Sequence, residues 1–447
     1  MAVHRVKRGL DLPISGAPQQ TIDVAQPVTE VAILARDYVG AQLRALVEEG
    51  AKVRLGQPIL EDRKNPGVRL VSPGAGRLKA IHRGERRALL SVVIELEGDD
   101  AASFGAYSPA AGNDRAGVAR LLLESGLWAA LRTRPFSRIP APVSAPRAIF
   151  VTAIDTHPLA PRPEIALEGR EADFERGLTA LATLTDGPVY LCRQAGAPIE
   201  PGGSGARVEE FSGKHPAGTV GYHIHRLDPV FRGKVVWHVG YPDVARIGRL
   251  FATGALDPTA IVSLAGPVVA RPRLVRTRLG ASTTQLTRGE VPAEGARLIS
   301  GSVLHGDQAG AAPLDYLGRY HLQLSALREG RPRELLGWIA PGPRAFSILP
   351  TFLASLLPRP SYEFDTSTRG SKRAMVPLGM YERVMPMDLM PTHLLRALTV
   401  GDVEWAEELG ALELSEEDLS LCTFVCPGKY DYGSALRRVL TTIEAEG

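Results

Sequence analysis

The stretch Ala148-Ile-Phe-Val-Thr-Ala153 is a continuous apolar run, which is typical of a strand buried on both faces of a parallel sheet. Two similar runs, Pro188–Cys192 and Val235–Val239, follow it in the chain. Phe174–Thr185 has the apolar spacing of a helix that crosses over between the first two strands. This alternation of strands and helices predicts a Rossmann-like α/β domain over residues 106–256.

A glycine-rich phosphate-binding loop is missing from the sequence of this domain. No Gly-x-Gly-x-x-Gly pattern stands at a strand-to-helix junction, where Rossmann-type domains bind nucleotide phosphates. The glycine cluster Pro201-Gly-Gly-Ser-Gly205 precedes a strand pattern at Arg207–Phe211, and we expect it to form a hairpin loop. The pattern therefore predicts no nucleotide site in the α/β domain.

Upstream of the α/β domain, short β-branched segments alternate with glycine turns, which predicts an all-β sandwich or flattened barrel over residues 1–105. Glu49–Gln57 and Ser72–Gly76 resemble the barrel-sandwich fold of lipoyl and biotinyl carriers. In those carriers a lysine on the hairpin between the two halves bears the prosthetic group, and Lys64 stands near that place. The hairpin Glu61–Gly67 is one residue too long, so we interpret Lys64 as a surface lysine, with modification as the alternative.

Downstream of the α/β domain, residues 257–332 contain a second, smaller group of strand patterns. Residues 333–447 are first punctuated by prolines and then helical, with the strongest helical patterns at Val403–Gly410 and Ser434–Glu444. The whole chain is therefore expected to be modular, with α+β architecture and several cores, because 447 residues exceed the size of one domain core.

The last domain contains an incomplete cluster motif at Leu419-Ser-Leu-Cys-Thr-Phe-Val-Cys-Pro427. Cys422, Cys426 and the proline match the end of a ferredoxin-type four-iron loop, whose first two ligand positions fall on Glu416 and Leu419. Leucine cannot bind iron, so these cysteines are not expected to hold a cluster. They are either the remnant of a cluster site or simply two buried cysteines one helical turn apart.

Composition excludes several classes of protein. A net charge of +3 without any block of lysines and arginines argues against nucleic-acid binding. Three cysteines give no disulfide framework, which favours a reducing compartment. The N-terminus lacks the apolar core of a signal peptide. The most apolar run, residues 345–357, contains Pro350 and is too short to span a bilayer.

Several stretches, in order, resemble the A-subunit family of the bacterial sodium-translocating NADH:quinone oxidoreductases, and the resemblance covers essentially the whole chain. These stretches are Lys7–Ile14, Glu61–Gly67, Arg83–Arg87, Leu131–Phe136, Val151–Leu159, Arg276–Ala281 and Cys422–Tyr430. That family is similar to the C subunit of the Rnf complex and, more distantly, to the flavin subunit of complex I. The resemblance implies a β-grasp (SLBB-type) domain at residues 257–332 and a helical domain with degenerate iron–sulfur motifs at residues 333–447.

Two further departures from those relatives imply that this chain binds no cofactor of its own. Where the relatives have a glycine-rich flavin loop, this chain has Ser125–Leu131 with the bulky Trp128 inside it. The relatives' first cluster loop corresponds to a segment that ends at Met385-Pro386, and its ligand positions fall on Tyr381, Leu378 and Met375. Flavins and iron–sulfur centres are accordingly expected on partner subunits.

The resemblance implies a peripheral subunit on the cytoplasmic face of the bacterial inner membrane, in a six-subunit complex. That complex oxidises NADH, reduces ubiquinone and moves sodium outward. Its other five subunits, especially the membrane-embedded ones, are the expected partners, and this chain is implied to assist quinone reduction and assembly. The alternative is a purely structural docking subunit with no ligand.

No catalytic residue is identifiable from the sequence, and no metal site is predicted. Asp155 and His157 follow a predicted buried strand, where a titratable pair could hydrogen-bond a quinone carbonyl and supply a proton. The alternative is a turn pair that satisfies backbone groups. His223 and His225 would point the same way from a strand, but no carboxylate or thiolate completes a metal site, so we expect surface histidines.

The role of the apolar run at residues 345–357 stays open between two interpretations. It docks on a membrane-embedded partner or lines a site for the quinone tail, or it packs in the core of the last domain. The methionine-rich stretch from Met375 to Met390 follows closely, and flexible thioethers suit adaptable interfaces.

Overall fold

The computed structural model describes residues 3–105, 114–330 and 360–446, together with residues 342, 345–349, 351, 352, 354 and 356. Within these residues the strands form four sheets, and a group of helices follows the last sheet. The predicted α+β multidomain architecture is confirmed. None of the described helices is both long enough and apolar enough to cross a bilayer.

The strands are β1 (Val3–Val6), β2 (Gln19–Val24), β3 (Glu30–Leu34), β4 (Leu43–Ala45), β5 (Lys52–Val53), β6 (Pro58–Asp62), β7 (Arg69–Val71), β8 (Gly76–Arg83), β9 (Leu89–Leu96), β10 (Arg132–Arg134), β11 (Ile149–Ala153), β12 (Val189–Gln194), β13 (Arg207–Gly213), β14 (Val236–Gly240), β15 (Thr259–Ala265), β16 (Arg273–Arg278), β17 (Ala296–Ser300), β18 (Asp307–Gln308) and β19 (Gln323–Arg328). The helices are α1 (Arg115–Glu124), α2 (Pro163–Ala166), α3 (Glu171–Ala182), α4 (Val220–Leu227), α5 (Tyr241–Thr253), α6 (Thr283–Leu286), α7 (Met380–Val384), α8 (Pro391–Val400), α9 (Val403–Glu408), α10 (Ser420–Val425) and α11 (Tyr432–Glu446).

The N-terminal domain contains two small antiparallel sheets, with strand orders β3-β9-β8-β5 and β4-β6-β7. Apolar side chains from both sheets, such as Val31, Ile59 and Ile94, are buried in one hydrophobic core. Lys64 lies exposed in the turn between β6 and β7. Its backbone N–H donates to the Asp62 carboxylate at 3.1 Å, and this geometry is that of an ordinary turn.

The α/β domain is built on a six-stranded sheet with the order β1-β13-β12-β11-β14-β10. The first five strands are parallel, and β10 runs antiparallel to β14. The three apolar runs of the sequence form β11, β12 and β14, as predicted. Helices α3 and α5 pack closely at two glycines. A Cβ on Gly177 would lie 1.9 Å from the Val244 carbonyl, and one on Gly248 would lie 1.7 Å from the Asp173 carbonyl, so neither position has room for a side chain.

The glycine cluster Pro201–Gly205 is not a hairpin loop, so that prediction was wrong. β12 and β13, the strands on either side of it, run parallel, with Tyr190 opposite Arg207. Parallel strands cannot be joined by a tight turn, because the chain must return to the starting edge of the sheet. Residues 195–206 make this return, and Gly203 N–H donates to the Glu175 carboxylate of α3 at 2.6 Å on the way.

The first two strands belong to sheets that are otherwise built from later parts of the chain. β1 pairs with β13 at the edge of the α/β sheet, with Val3 opposite Glu210. β2 pairs with β16 at the edge of the third sheet, whose order is β18-β17-β19-β15-β16-β2. The predicted first domain of residues 1–105 therefore does not account for these two strands, although the barrel-sandwich core does lie within it.

The C-terminal helices share one hydrophobic core with the α/β sheet. Phe150 and Phe211 from the sheet, Ile224 from α4, and Leu419 and Leu436 from the helical part are all fully buried in it. Burial of this kind is the dominant stabilising contribution in protein cores. The helical domain is therefore an integral part of the fold rather than an appendage.

The apolar run at residues 345–357 lies partly outside the described residues. In the described part, the Phe346 ring lies 5.7 Å from the Tyr362 ring and 6.4 Å from the Phe424 ring, and Ala345 and Ala354 are buried. Leu356 is exposed. The described side chains thus favour core packing for the start of the run.

Candidate functional site

The candidate site lies at the carboxyl edge of the α/β sheet. There β11 lies between β12 and β14. The chain passes from β11 to β12 on one side of β11 and later returns from β13 to β14 on the other side, so the connections lead away in opposite directions. Open α/β sheets bind ligands in the crevice at such a point. Asp155 and His157 follow β11, and Tyr241 follows β14. All three residues line one cavity, so the structure places the predicted pair at a strand end as expected.

The cavity above this edge has a volume of about 410 Å³ and lies where the domains meet. Arg36 reaches it from the barrel-sandwich domain and Arg132 from β10. His305 and Tyr320 lie in loops next to strands of the third sheet, and Glu417 comes from the helical domain. The volume falls in the range of about 300–1,000 Å³ that is usual for small-molecule sites.

His157 lies between two carboxylates in this cavity. Its Nδ1 lies 2.7 Å from Asp155 Oδ1, which also accepts the His157 backbone N–H at 2.9 Å. Its Nε2 lies 3.1 Å from Glu417 Oε1 and forms an ion pair with that carboxylate. Burial disfavours the charged ring, yet the two carboxylates outweigh burial and raise the pKa of His157 to about 10. His157 is therefore an imidazolium at neutral pH, held between two carboxylates.

The imidazoles around His157 are neutral. The rings of His215 and His305 both lie 4.8 Å from the His157 ring, centroid to centroid. Burial, reinforced by the charge on His157, lowers the pKa of His305 to about 4 and that of His215 well below its usual value. Burial also lowers the pKa of His321 to about 3. The cavity thus holds one charged imidazole beside several neutral ones.

Several polar groups that line the cavity have no hydrogen-bond partner among the described residues. They include the Tyr241 hydroxyl, His238 Nε2 and Arg132 Nε. Tyr241 and His238 are buried, and the Arg132 guanidinium lies 4.3 Å from the centroid of the Tyr320 ring. A buried polar group without a partner costs about 1–3 kcal/mol. These unsatisfied groups indicate that a polar ligand or solvent binds in the cavity.

The turn that presents Glu417 is fixed by a buried ion pair. Ser415 and Asp418 form a capping box, in which the Ser415 backbone N–H donates to Asp418 Oδ2 at 2.8 Å. Arg134 Nη1 donates to the same oxygen at 3.1 Å, and Arg134 Nη2 donates to Ser415 Oγ at 2.7 Å. The position of Glu417 at the cavity is therefore set by β10 of the α/β domain.

His223 and His225 lie on helix α4, so the prediction that they project the same way from a strand was wrong. His223 is buried and its Nε2 contacts the Ala217 carbonyl at 2.8 Å, so it is not a surface histidine either. His225 Nδ1 lies 2.8 Å from Glu413 Oε2. A helix turns by about 100° per residue, so side chains two positions apart diverge. The structure gives both histidines structural contacts.

The segment at Ser125–Leu131 is filled by side chains. Trp128 is only 2% exposed, its Nε1 donates to the Pro140 carbonyl at 2.8 Å, and its ring lies edge-on to Trp237 with the centroids 5.4 Å apart. A glycine-rich loop leaves room for backbone to approach a phosphate, and this loop has no such room at Trp128.

Cys422 and Cys426 are buried and unlinked. The Tyr381 and Tyr432 hydroxyls each lie 3.3 Å from Cys426 Sγ and 2.8 Å from each other. Tyr381 occupies a ligand position of the first degenerate loop, so the two loops meet through a hydroxyl and a thiol. Leu419, at a ligand position of the second loop, is fully buried.

Sequence reasoning missed most of the cavity lining, including Tyr241, His305 and Glu417. They lie in three different parts of the chain, and no spacing connects them to His157. The one local signal was the capping-box pattern from Ser415 to Asp418, which predicts a turn but not what the turn presents.

Three family models match this chain. They are described as the NqrA N-terminal barrel-sandwich hybrid domain at residues 4–97, the NqrA second alpha/beta domain at residues 113–256 and the NQRA C-terminal domain at residues 261–311. A solved chain of NAD+-reducing [NiFe]-hydrogenase in the H2-reduced state is only distantly similar, with a TM-score of 0.36 and 11% identity over 48% of this chain and 47% of that chain.

Full-length relatives are much more similar. The A-subunit of the Na(+)-translocating NADH-quinone reductase of Hahella chejuensis is 51% identical over 99% of this chain and 100% of its own length. The proteins of the same name from Yersinia pestis and Neisseria meningitidis serogroup C are each 52% identical, again over 99% of this chain and 100% of their own length. The chain therefore belongs to the NqrA family, the A-subunits of the Na(+)-translocating NADH-quinone reductases.

Proposed function

We propose that this chain is a peripheral subunit, on the cytoplasmic face of the bacterial inner membrane, of a complex that couples NADH oxidation and quinone reduction to outward sodium transport. Within that complex it holds the headgroup of ubiquinone in the cavity at the carboxyl edge of the α/β sheet. The names of its relatives support the complex. The observation that carries quinone binding is a cavity of about 410 Å³ that is lined by the His157 imidazole and by the Tyr241 hydroxyl, which has no hydrogen-bond partner among the described residues.

The chemistry of a quinone fits these groups. Its carbonyl oxygens are hydrogen-bond acceptors, and they become more negative as the ring takes up electrons. The His157 N–H and the Tyr241 hydroxyl are buried donors in the same cavity, and preorganised donors stabilise charge that develops during a reaction. Asp155 orients the imidazole through its 2.7 Å contact with Nδ1.

The raised pKa of His157 changes the role that the sequence predicted for it. A group with a pKa of about 10 keeps its proton at neutral pH, so it acts as a donor and a fixed positive charge. It is not a freely exchanging proton source. The two protons that quinone reduction consumes must then reach the ring from solvent or from a partner subunit. Electrons come from flavins and iron–sulfur centres on the partner subunits.

Titration of the purified chain with a short-tailed ubiquinone, followed by tryptophan fluorescence, tests this proposal. We expect saturable binding that weakens about tenfold or more in His157→Gln, because a hydrogen bond to a charged group contributes about 1.5–3 kcal/mol. Tyr241→Phe should weaken binding by about two- to tenfold, because a hydrogen bond between neutral groups contributes about 0.5–1.5 kcal/mol. His82→Gln is the control, since His82 lies on β8 and outside the cavity lining. Lack of saturation, or equal binding by all variants, overturns quinone binding here.

A second candidate function is docking without any ligand, and the surface of the C-terminal part favours it. Of the twelve large apolar side chains that are exposed among the described residues, six lie between Leu356 and Trp405. Val400 is 78% exposed and Trp405 is 53% exposed. Contiguous exposed apolar patches often mark interfaces between proteins, and Val400 and Trp405 line one surface cavity.

Surface variants test docking better than a deletion of the C-terminal third. That third shares a core with the α/β sheet, so its removal would expose buried apolar side chains. Val400→Glu combined with Trp405→Ala leaves the core intact. If docking is the function, this variant should fold normally and fail to co-purify with the membrane subunits, whereas normal assembly counts against this surface.

A further inference from the structure

Three side chains from three different parts of the fold converge at the cavity. One ligand atom from each of His157, His305 and Glu417 lies within 4.8 Å of the other two. His157 follows β11, His305 lies between β17 and β18, and Glu417 lies in the turn before α10. Imidazole nitrogens and a carboxylate oxygen are the donors that transition metals prefer.

The contacts among these three groups are incomplete. His157 Nε2 lies 3.1 Å from Glu417 Oε1, whereas His305 Nδ1 has no hydrogen-bond partner among the described residues. A buried nitrogen without a partner costs about 1–3 kcal/mol. A cation placed between the three groups would satisfy atoms that their mutual contacts leave unsatisfied.

We propose that His157, His305 and Glu417 bind a divalent transition-metal ion of the zinc type. Two histidines and one carboxylate supply three ligands of a tetrahedral site, and the fourth position faces the cavity, as in open zinc sites. The metal bonds to His157 Nε2 in place of its proton, so Nδ1 keeps the proton that Asp155 accepts. A histidine ligand whose other nitrogen donates to a carboxylate is the usual supporting arrangement.

The distances permit this site with a small adjustment. Metal–ligand bonds of about 2.1 Å place tetrahedral ligand atoms about 3.4 Å apart. The 3.1 Å separation of His157 Nε2 and Glu417 Oε1 is close to that value. The largest separation is no more than 4.8 Å, so movement of at most about 1.4 Å at one imidazole closes the site. The cavity beside His305 leaves room for that movement.

A metal and a quinone would compete for His157 Nε2, because Nδ1 is already bound to Asp155, so the two proposals are tested separately. The full chain is stripped of metal with a chelator, dialysed and titrated with Co²⁺ alone, with absorbance in the visible range as the readout. We expect one equivalent to bind with the strong absorption of tetrahedral Co²⁺, and Zn²⁺ to displace it. Tyr241→Phe, which removes a proposed quinone donor, should leave this spectrum unchanged.

The variants are chosen so that loss of folding cannot imitate loss of a ligand. His305→Ala and Glu417→Gln should each weaken Co²⁺ binding by at least about 100-fold, and Asp155→Asn by about 10–100-fold. Glu417→His keeps a ligand at that position and should retain the absorption. His393→Gln, at an exposed position, is the matched control. Binding that survives in His305→Ala shows adventitious surface metal and overturns the site, as does the absence of any tetrahedral absorption in the unaltered chain.

Discussion

Arg134 and Asp418 form an ion pair 3.1 Å apart, and their side chains are 1% and 0% exposed. Arg134 ends β10 of the α/β domain, whereas Asp418 lies in the turn before α10 of the helical domain. Arg134 Nη1 also donates to the Glu413 carbonyl at 3.1 Å, so one guanidinium contacts several parts of that turn. The pair therefore couples the position of Glu417 to the α/β sheet.

Removal of this guanidinium should be costly. Arg134→Met leaves Asp418 as an unpaired buried charge, and we expect a loss of about 3–5 kcal/mol in the free energy of unfolding, measured with urea. Arg138→Ala is the control, because the Arg138–Glu444 pair is more exposed and should contribute at most about 1 kcal/mol. Equal effects of the two substitutions would contradict a special role for the buried pair.

Asp243 should make stability depend on pH in the acid range. Burial opposes its charge, but Arg319 and Arg246 outweigh burial and lower its pKa from 3.8 to about 2. The folded pKa lies below the unfolded value, so the stabilisation is complete above about pH 4 and is lost as the pH falls towards 2. The difference corresponds to about 2 kcal/mol.

Urea unfolding at a series of pH values tests this expectation. The difference in stability between the unaltered chain and Asp243→Asn should shrink by about 2 kcal/mol between pH 4 and pH 2. Asp186→Asn is the control, since Asp186 is 96% exposed and should change stability by less than about 0.5 kcal/mol. A constant difference across that range would show that Asp243 does not titrate as described.

We expect Trp128 to stabilise the fold, and its removal should not create a flavin site. Trp128→Ala opens a cavity and removes the hydrogen bond to the Pro140 carbonyl, so we expect a loss of about 3–5 kcal/mol in urea unfolding. Trp405→Ala, at an exposed position, should stay within about 0.5 kcal/mol. A gain of tight flavin binding by Trp128→Ala, seen as quenched flavin fluorescence, would contradict this interpretation.

The thiols should remain protected and unable to assemble a cluster. Cys192, Cys422 and Cys426 are buried, so a thiol reagent should modify none of them in the folded chain and all three after unfolding. Anaerobic incubation with ferrous iron and sulfide should give no broad visible absorption, because a tyrosine and a leucine occupy ligand positions of the two loops. Appearance of that absorption with stoichiometric iron would refute the expectation.

The sequence predicted the elements that show a hydrophobic pattern in their own residues. The runs that became β11, β12 and β14 are apolar because both faces of a parallel strand are covered, and that can be seen without knowing the neighbours. The pairing of β1 with β13 could not be predicted in this way. β1 lies at the edge of the sheet and pairs with residues far away in the chain, and such a strand has no distinctive composition. His223 and His225 were misassigned because α4 is only eight residues long, which is too short for a clear helical period.

Only part of the candidate site was predictable from the sequence. Asp155 and His157 could be placed because the end of a buried strand is a known position for ligands. His305 and Glu417 join them through the docking of separate domains, and the chain between them carries no spacing that reports such docking. The charge on His157 could not be foreseen for the same reason, since Glu417, one of its two carboxylate neighbours, is contributed by another domain.

The pairing of Val3 with Glu210 also has a consequence for synthesis on the ribosome. At about 5–20 residues per second, β13 emerges roughly 10–40 s after β1. During that interval the barrel-sandwich core can fold, whereas β1 has no strand to pair with. The first segment of the chain thus reaches its final place only after about half of the chain has been made, and its backbone stays unpaired until then.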